Sequence, residues 1–383
     1  MKKVISIVLN NFKNDSRVLK ENISLQKAGY DVKVVALHEE PLQEFDEVQK
    51  VPVHRVKLKS RSWSKNKIVQ VFKYIEFIYR VIKQYKNNDI FHCNDLNALP
   101  IGVLIKLFFN RNAKVVYDAH EYETEINGLK GIEKKLTKLL EKLLIKYADK
   151  TITVSNAIAN EYVRLYNIEK PALVLNNPTY QQVGKHNKFR EVFDISEEQS
   201  IFLYQGGLSK GRGIEILLDT FKLLWEETKQ DKNYPVIVFM GYGILEDEIK
   251  KQAENYKNIY FHQAVSPDVL LTYTSSADFG ISTIEDTCLS YHYCLPNKMF
   301  EYIMAEVLVI VSDLPEMKRL VQTNEIGTIA KQNTPIGLKE AIKKAVLLDK
   351  KQLLINIKKV KHIYNWEEQE KVLLNIYKDL HEN

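Results

Sequence analysis

The chain alternates short Val/Ile-rich runs with longer stretches of helical period, and it does so twice over its length. In the first half the runs are Val4–Leu9, Val32–Leu37, Val53–Lys57, Ile90–Asn94, Val115–Ala119, Thr151–Val154 and Ala172–Leu175. In the second half they are Ile201–Gln205, Val236–Met240, Ile259–Gln263, Phe279–Ser282, Val307–Val311 and Gly327–Ala330. Between them lie Ser16–Ala28, Lys67–Tyr85, Glu133–Tyr147 and Glu215–Thr228, all of helical character. Continuous apolar strands separated by helices predict α/β sheets that are parallel and covered on both faces.

A length of 383 residues exceeds one ordinary core and predicts two domains of similar size. The break is placed after Asn176-Asn177-Pro178, where a polar segment, 179–200, lacks a sustained apolar run. The expected division is 1–178, 179–363, and a closing helix within 364–383. The run Val4–Leu9 is too short for a signal peptide and lacks a small-residue cleavage site; no segment reaches the roughly 20 apolar residues of a membrane span. Three scattered cysteines, Cys93, Cys288 and Cys294, suit a reducing compartment, and the expectation is a cytoplasmic protein. A net charge of +6 is mild and points to no nucleic-acid partner.

Ligands of doubly wound sheets bind at the carboxyl ends of strands, so chemistry is sought there. Neither a dinucleotide fingerprint nor a P-loop occurs, which argues against nicotinamide and P-loop enzymes. After the first strand, Asp15 or Ser16 can cap the helix that follows. Asp118-Ala119-His120-Glu121 ends a buried strand, where His120 can serve a sugar hydroxyl or a charged centre, or pair with a neighbouring acid.

In the second half, Gly206-Gly207-Leu208-Ser209-Lys210-Gly211-Arg212-Gly213 lies between a strand and a helix. Its glycines admit close backbone approach, and two cations sit beside a helix start that itself favours anions. Gly241-Tyr242-Gly243 is a second such turn. In Leu295-Pro296-Asn297-Lys298-Met299-Phe300-Glu301-Tyr302, Pro296 favours a helix start, Lys298 can hold phosphate, and Glu301, one turn on, can accept from ribose hydroxyls. The alternative is a surface helix with a weak Lys298–Glu301 pair. Metal-ligating patterns and a serine nucleophile elbow are lacking, so neither a metal nor another cofactor is expected.

These stretches together resemble the family 4 retaining glycosyltransferases of the GT-B fold over essentially the whole chain. The resemblance rests on Asn14–Val18, Asp118–Glu121, Ile152–Asn156, Asn176–Pro178, the Gly-Gly…Arg-Gly loop, Gly241–Gly243, Leu295–Tyr302 and the closing helix from Trp366 to Tyr377. It implies two Rossmann-like parallel-sheet domains facing a central cleft. It also implies metal-independent sugar transfer, with retention, from a nucleoside diphosphate sugar, UDP foremost and GDP second. The acceptor would be a glycan or a lipid-linked molecule in cell-surface polysaccharide synthesis.

Carried onto this sequence, Arg212 and Lys298 hold the diphosphate and His120 serves the donor sugar. Gly207, Lys210, Gly241, Tyr242, Leu295, Pro296, Asn297 and Glu301 complete the donor site, with Val265 and its loop meeting the base. Asn10, Asp15, Asn94 and Asp95 line the acceptor side. Two positions depart from the family: Tyr293 stands where a Glu often precedes the ribose Glu by eight residues, and Gly207 replaces an Arg. Lys210 is the candidate substitute for the Arg, and Glu285, Asp286 or Ser290 for the Glu. A sugar-nucleotide epimerase of the same fold and an inactive partner subunit are the competing readings.

Two stretches of the first half are basic and aromatic. Between 57 and 86 stand nine Lys/Arg and one acid, Glu76, interleaved with Trp63, Phe72, Tyr74, Phe77 and Tyr79; between 130 and 150 stand seven Lys against Glu133, Glu141 and Asp149. They read as docking on an anionic membrane surface, peripherally on its inner face, or as solvated helix faces whose apolar sides lie in the core.

Overall fold

The computed structural model describes residues 1–382, with side chains through Leu380. The chain divides into two compact units, one of Met1–Leu175 together with the chain from Glu370 onward, the other of Asn176–Gln369.

In the first unit eight strands form one sheet: β1 (Lys3–Ile7), β2 (Asp31–Leu37), β3 (Phe45–Val48), β4 (Val51–Val56), β5 (Ile90–Asn94), β6 (Lys114–Ala119), β7 (Lys150–Thr153) and β8 (Ala172–Leu173). Their order is β3-β4-β2-β1-β5-β6-β7-β8. All neighbours are parallel except β3 and β4, which form an antiparallel edge. Val4 pairs with Val32 on one side and Ile90 on the other, so β1 is the centre from which the sheet grows both ways. Its Val4, Ile5 and Ile7 are buried on both faces. Burial of each such side chain contributes about 1.5–3 kcal/mol, which is why uninterrupted Val/Ile runs settle here.

The second unit carries β9 (Ile201–Gly207), β10 (Val236–Tyr242), β11 (Ile259–Gln263), β12 (Phe279–Ser282), β13 (Leu308–Ser312) and β14 (Gly327–Ala330). They lie in the order β11-β10-β9-β12-β13-β14, all parallel. Strand order reverses between β9 and β12, which is the kind of switch point where doubly wound sheets bind ligands.

Two strands run beyond the apolar runs that announce them. β9 reaches Gly207 and β10 reaches Tyr242, because Gly206 and Gly241 continue the ladder in register. A Cβ on Gly241 would lie 1.9 Å from the Gly206 carbonyl oxygen, so that extension needs glycine. β3 is a strand the sequence hides: Phe45–Val48 is half polar and pairs only as an edge. The polar segment after Pro178 holds one short helix, Lys188–Phe193. The helix Trp366–Glu382 begins in the second unit and ends in the first, where Tyr377 is buried. Among the described residues no helix is long and apolar enough to cross a membrane.

Candidate functional site

In the second unit the candidate residues converge on the carboxyl end of β9. Pro296 caps the helix Asn297–Met304, with its carbonyl accepting from Met299 N at 3.1 Å. Lys298 lies in the first turn and is buried, its ammonium 3.5 Å from the centre of the Tyr204 ring. Its Nζ would be 4.0 Å from a Cβ on Gly206, where φ is +115° and the backbone lies bare beside it. The Arg212 guanidinium stacks 5.0 Å from the centre of the Tyr291 ring. Burial, and then repulsion from Arg212, push the Lys298 ammonium down to about 7. Two cations held together in a partly desolvated site form a standing deficit of negative charge.

Glu301 lies one turn further along the same helix. Its carboxylate accepts from the Gln205 side-chain amide, whose own oxygen accepts from the Thr274 hydroxyl at 2.8 Å. Gln205 is also fixed through its backbone, with N donating to Tyr302 Oη at 3.2 Å. A carboxylate oriented in this way is suited to accept hydroxyl groups of a bound sugar. Behind it, Gly280 makes room for Tyr302: a Cβ there would lie 2.3 Å from the ring.

The glycine loop is built by contact. Gly213 has φ +76° and opens the helix Ile214–Thr228; a Cβ there would meet the Thr283 carbonyl oxygen at 1.9 Å. Glu285 ties the loop from the other side, its N donating to Gly211 O at 3.0 Å and its Oε1 accepting from Gly213 N at 3.3 Å. Asp286 pairs with His292 at 2.9 Å, and Ser290 is buried. Tyr293 packs edge-on to His292. Gly207 borders open space, Lys210 is exposed, and Tyr242 is 71% exposed at the end of β10. Leu295, Pro296 and Val265 are half-buried, and Asn297 is exposed.

In the first unit His120 follows β6 and stands between two acids. Its Nε2 lies 3.2 Å from Asp118 Oδ2 and its Nδ1 lies 3.4 Å from Asp95 Oδ1. Burial opposes the charge, but Asp118 and Asp95 prevail and raise the imidazole to about 10, so His120 is a cation at neutral pH. Asp118 is fully buried and takes a forked pair from Arg17, with Nη2 at 2.8 Å from Oδ1 and 2.9 Å from Oδ2. Burial alone would raise the Asp118 carboxyl; Arg17 and then His120 hold it well below the usual carboxylate range.

Glu21, His92 and Asp118 also bring carboxylate and imidazole atoms within 4.8 Å of one another. Arg17 already supplies the positive charge in that cluster, with Nε 3.2 Å from Glu21. His92 connects it to the closing helix through Tyr377 Oη at 2.8 Å.

The expected acceptor-side residues are engaged locally. Asp15 caps the helix Ser16–Lys27, accepting from Val18 N at 3.2 Å, and accepts from Asn10 Nδ2 at 2.8 Å. Asn94 is buried, and its amide donates to Ser6 Oγ at 3.0 Å and Ile7 O at 3.1 Å, which ties β5 to β1. Asp95 has φ +63° and turns back to His120 N at 3.3 Å. Gln205, Tyr204 and Thr274 are supporting residues that motif reading does not supply; Arg17 lies within Asn14–Val18, but its partner is not announced there. Arg17 and Asp118 lie 101 positions apart, and nothing local links them.

Two family models match the chain: Glycosyltransferase Family 4 over residues 23–179 and Glycosyl transferases group 1 over residues 185–360. A curated relative, the chitobiosyldiphosphodolichol beta-mannosyltransferase of Candida albicans, is 24% identical over 363 aligned residues, covering 86% of this chain and 77% of that protein. Among solved structures, a sucrose-phosphate synthase from Thermosynechococcus elongatus superposes with TM-score 0.81 at 15% identity, covering 100% of this chain and 99% of that one. The Anabaena protein HepE in complex with UDP and glucose superposes with TM-score 0.72 at 13% identity, covering 100% of both chains.

Proposed function

Because the chain belongs to the GT-B glycosyltransferases of the family 4 type, we propose that it moves a sugar from a nucleoside diphosphate sugar to a lipid-linked glycan acceptor in cell-surface polysaccharide synthesis. UDP is the foremost donor nucleotide and GDP the second. The observation that carries this reading is the buried Lys298 ammonium, in the first turn of the helix Asn297–Met304 and within electrostatic reach of Arg212. A pyrophosphate supplies the negative charge this site lacks, and helix-end amides add donors to it.

Lys298 and Arg212 stabilise the charge that grows on the diphosphate as the bond from its oxygen to the anomeric carbon breaks. That bond's electron pair leaves with the diphosphate. The acceptor hydroxyl oxygen bonds to the anomeric carbon, and its proton passes to a departing phosphate oxygen. Glu301, held by Gln205, receives the ribose hydroxyls. His120 adds a fixed positive charge whose orientation Asp118 and Asp95 set. Asp95 and Asn10 are the residues proposed for the acceptor, and no step calls on a metal.

The lipid-linked acceptor is supported by the name of the Candida albicans relative, a beta-mannosyltransferase acting on a diphosphodolichol-linked chitobiose. Retention is part of the proposal, so product and donor share one anomeric configuration.

Incubation of the protein with UDP- and GDP-sugars, with and without a polyprenyl-diphosphate-linked glycan, tests the reading. Release of nucleoside diphosphate only with acceptor, and one new anomeric proton signal of the donor's configuration, is the expected result. An altered sugar without acceptor would indicate an epimerase. Binding without turnover against any acceptor would indicate an inactive partner subunit.

A further inference from the structure

One helix of the first unit, and the first turns of a second whose later turns bury Phe77, Val81 and Ile82, are turned inside out. In the helix Gly131–Leu144, Glu141 is the buried residue. Ile132, Leu136, Leu139 and Leu143, spaced to share one face, are 76%, 61%, 52% and 50% exposed. A surface helix ordinarily turns the other way. The orientation is fixed from within: Glu141 accepts from the hydroxyls of Tyr117 at 2.6 Å, Tyr162 at 2.8 Å and Tyr166. Those bonds hold the carboxylate in and the leucines out.

The helix Lys67–Tyr85 repeats the arrangement in its first turns. Lys73 is buried, with its ammonium donating to the carbonyls of Arg61 at 3.1 Å and Trp63 at 2.9 Å. Ile68, Val71, Phe72 and Ile75 are exposed, as is Tyr79 one turn further. Lys67 and Glu133 pair at 2.7 Å and join the starts of the two helices, so the two apolar stripes belong to one surface. Around it Lys65, Lys83, Lys135, Lys142 and Lys146 are exposed and form no ion pair among the described residues.

Apolar side chains in the middle with unpaired cations at the rim need a partner with the matching layers. A second copy would bring like charges together. A bilayer with anionic headgroups offers hydrocarbon to the stripes and phosphate to the lysines at the same depth. We propose that this two-helix face inserts shallowly into an anionic lipid surface. The surface uses none of the residues assigned to the diphosphate, so the two readings stand or fall separately.

Flotation with vesicles of equimolar phosphatidylglycerol and phosphatidylcholine, against phosphatidylcholine alone, tests this. The variant Leu136→Ser/Leu139→Ser/Leu143→Ser alters only exposed side chains, and its fold is verified by its melting curve and by nucleoside diphosphate binding. The wild type is expected to float with the anionic vesicles. The triple variant is expected to lose affinity by about tenfold or more, and Lys135→Glu/Lys142→Glu to weaken binding more at low salt than at high. Wild type that stays unbound, or a triple variant that floats as well as wild type, would overturn the proposal. So would a wild-type dimer in sedimentation that the triple variant splits, since a second copy would then cover the face.

Discussion

The Lys298 ammonium sits 3.5 Å from the centre of the Tyr204 ring, and its burial, and then the Arg212 charge, favour loss of its proton. The aromatic face offsets part of the desolvation. It does not offset all of it, since Lys298 titrates at about 7. The free site is therefore poised between charged and neutral at physiological pH, and an arriving dianion decides the matter.

Sugar nucleotide affinity should consequently depend on pH through Lys298. The bound diphosphate favours the charged amine, so binding is fully supported below about pH 7 and costs a proton uptake above it. The predicted decline is about tenfold per pH unit between the pKa of the free site and that of the complex. Both phosphates of a sugar nucleotide are diesters and do not titrate there. Calorimetric titrations in buffers of different ionisation enthalpy should show proton uptake at pH 8, and Lys298→Arg should flatten the profile.

Glu301 should matter to the nucleoside and not to the phosphates. Glu301→Ala is expected to weaken nucleoside diphosphate binding by roughly tenfold or more, the worth of a lost charged hydrogen bond, while binding of inorganic pyrophosphate stays as in wild type. Gln205→Leu, which removes this one hydrogen bond to Glu301, should give a smaller loss of the same kind. Competition against a fluorescent nucleotide measures both.

Gly213→Ala should be poorly tolerated. The residue combines φ +76° with a Cβ position 1.9 Å from the Thr283 carbonyl oxygen, so both backbone strain and a clash arise. A destabilisation of about 2 kcal/mol or more is expected, read as a lower denaturation midpoint with unchanged slope.

Arg17→Met should leave Asp118 buried without its forked partner, at a cost of about 3–5 kcal/mol. The depressed Asp118 carboxyl supplies stability that is present above the ordinary carboxylate range and is lost as pH falls through its lower native value. The variant should therefore unfold at a higher pH on acidification. His120, raised to about 10, works in the opposite sense: its contribution is complete below about pH 6.5 and fades as pH climbs towards 10. His120→Asn should remove that alkaline slope in denaturation curves recorded across pH 6 to 10.

Much of the architecture was legible because a buried parallel strand leaves a signature: Val236–Met240 and Val307–Val311 are short, apolar and rich in Val and Ile. The edge strand Phe45–Val48 was not, since a strand with one exposed side carries no continuous apolar run. The start of the helix Asn297–Met304 was legible in Pro296, because proline is excluded from a helix interior and here stands just before the first helical residue. The Arg17–Asp118 pair was not, because motif reading is local and the fold closes across 101 positions. The helix Gly131–Leu144 shows a third situation. Its period announced an amphipathic helix correctly, but which face turns inward was decided by tyrosines on other elements gripping Glu141, and the leucines face out.

The central claim is that Lys298 and Arg212 hold the diphosphate of an activated sugar. It is tested most directly by titrating UDP- and GDP-sugars into the wild type, Lys298→Ala and Arg212→Ala, with melting curves confirming that each variant is folded. The account predicts saturable binding of at least one sugar nucleotide to the wild type and a loss of roughly 30-fold or more in each variant. Equal affinity in all three proteins would contradict it.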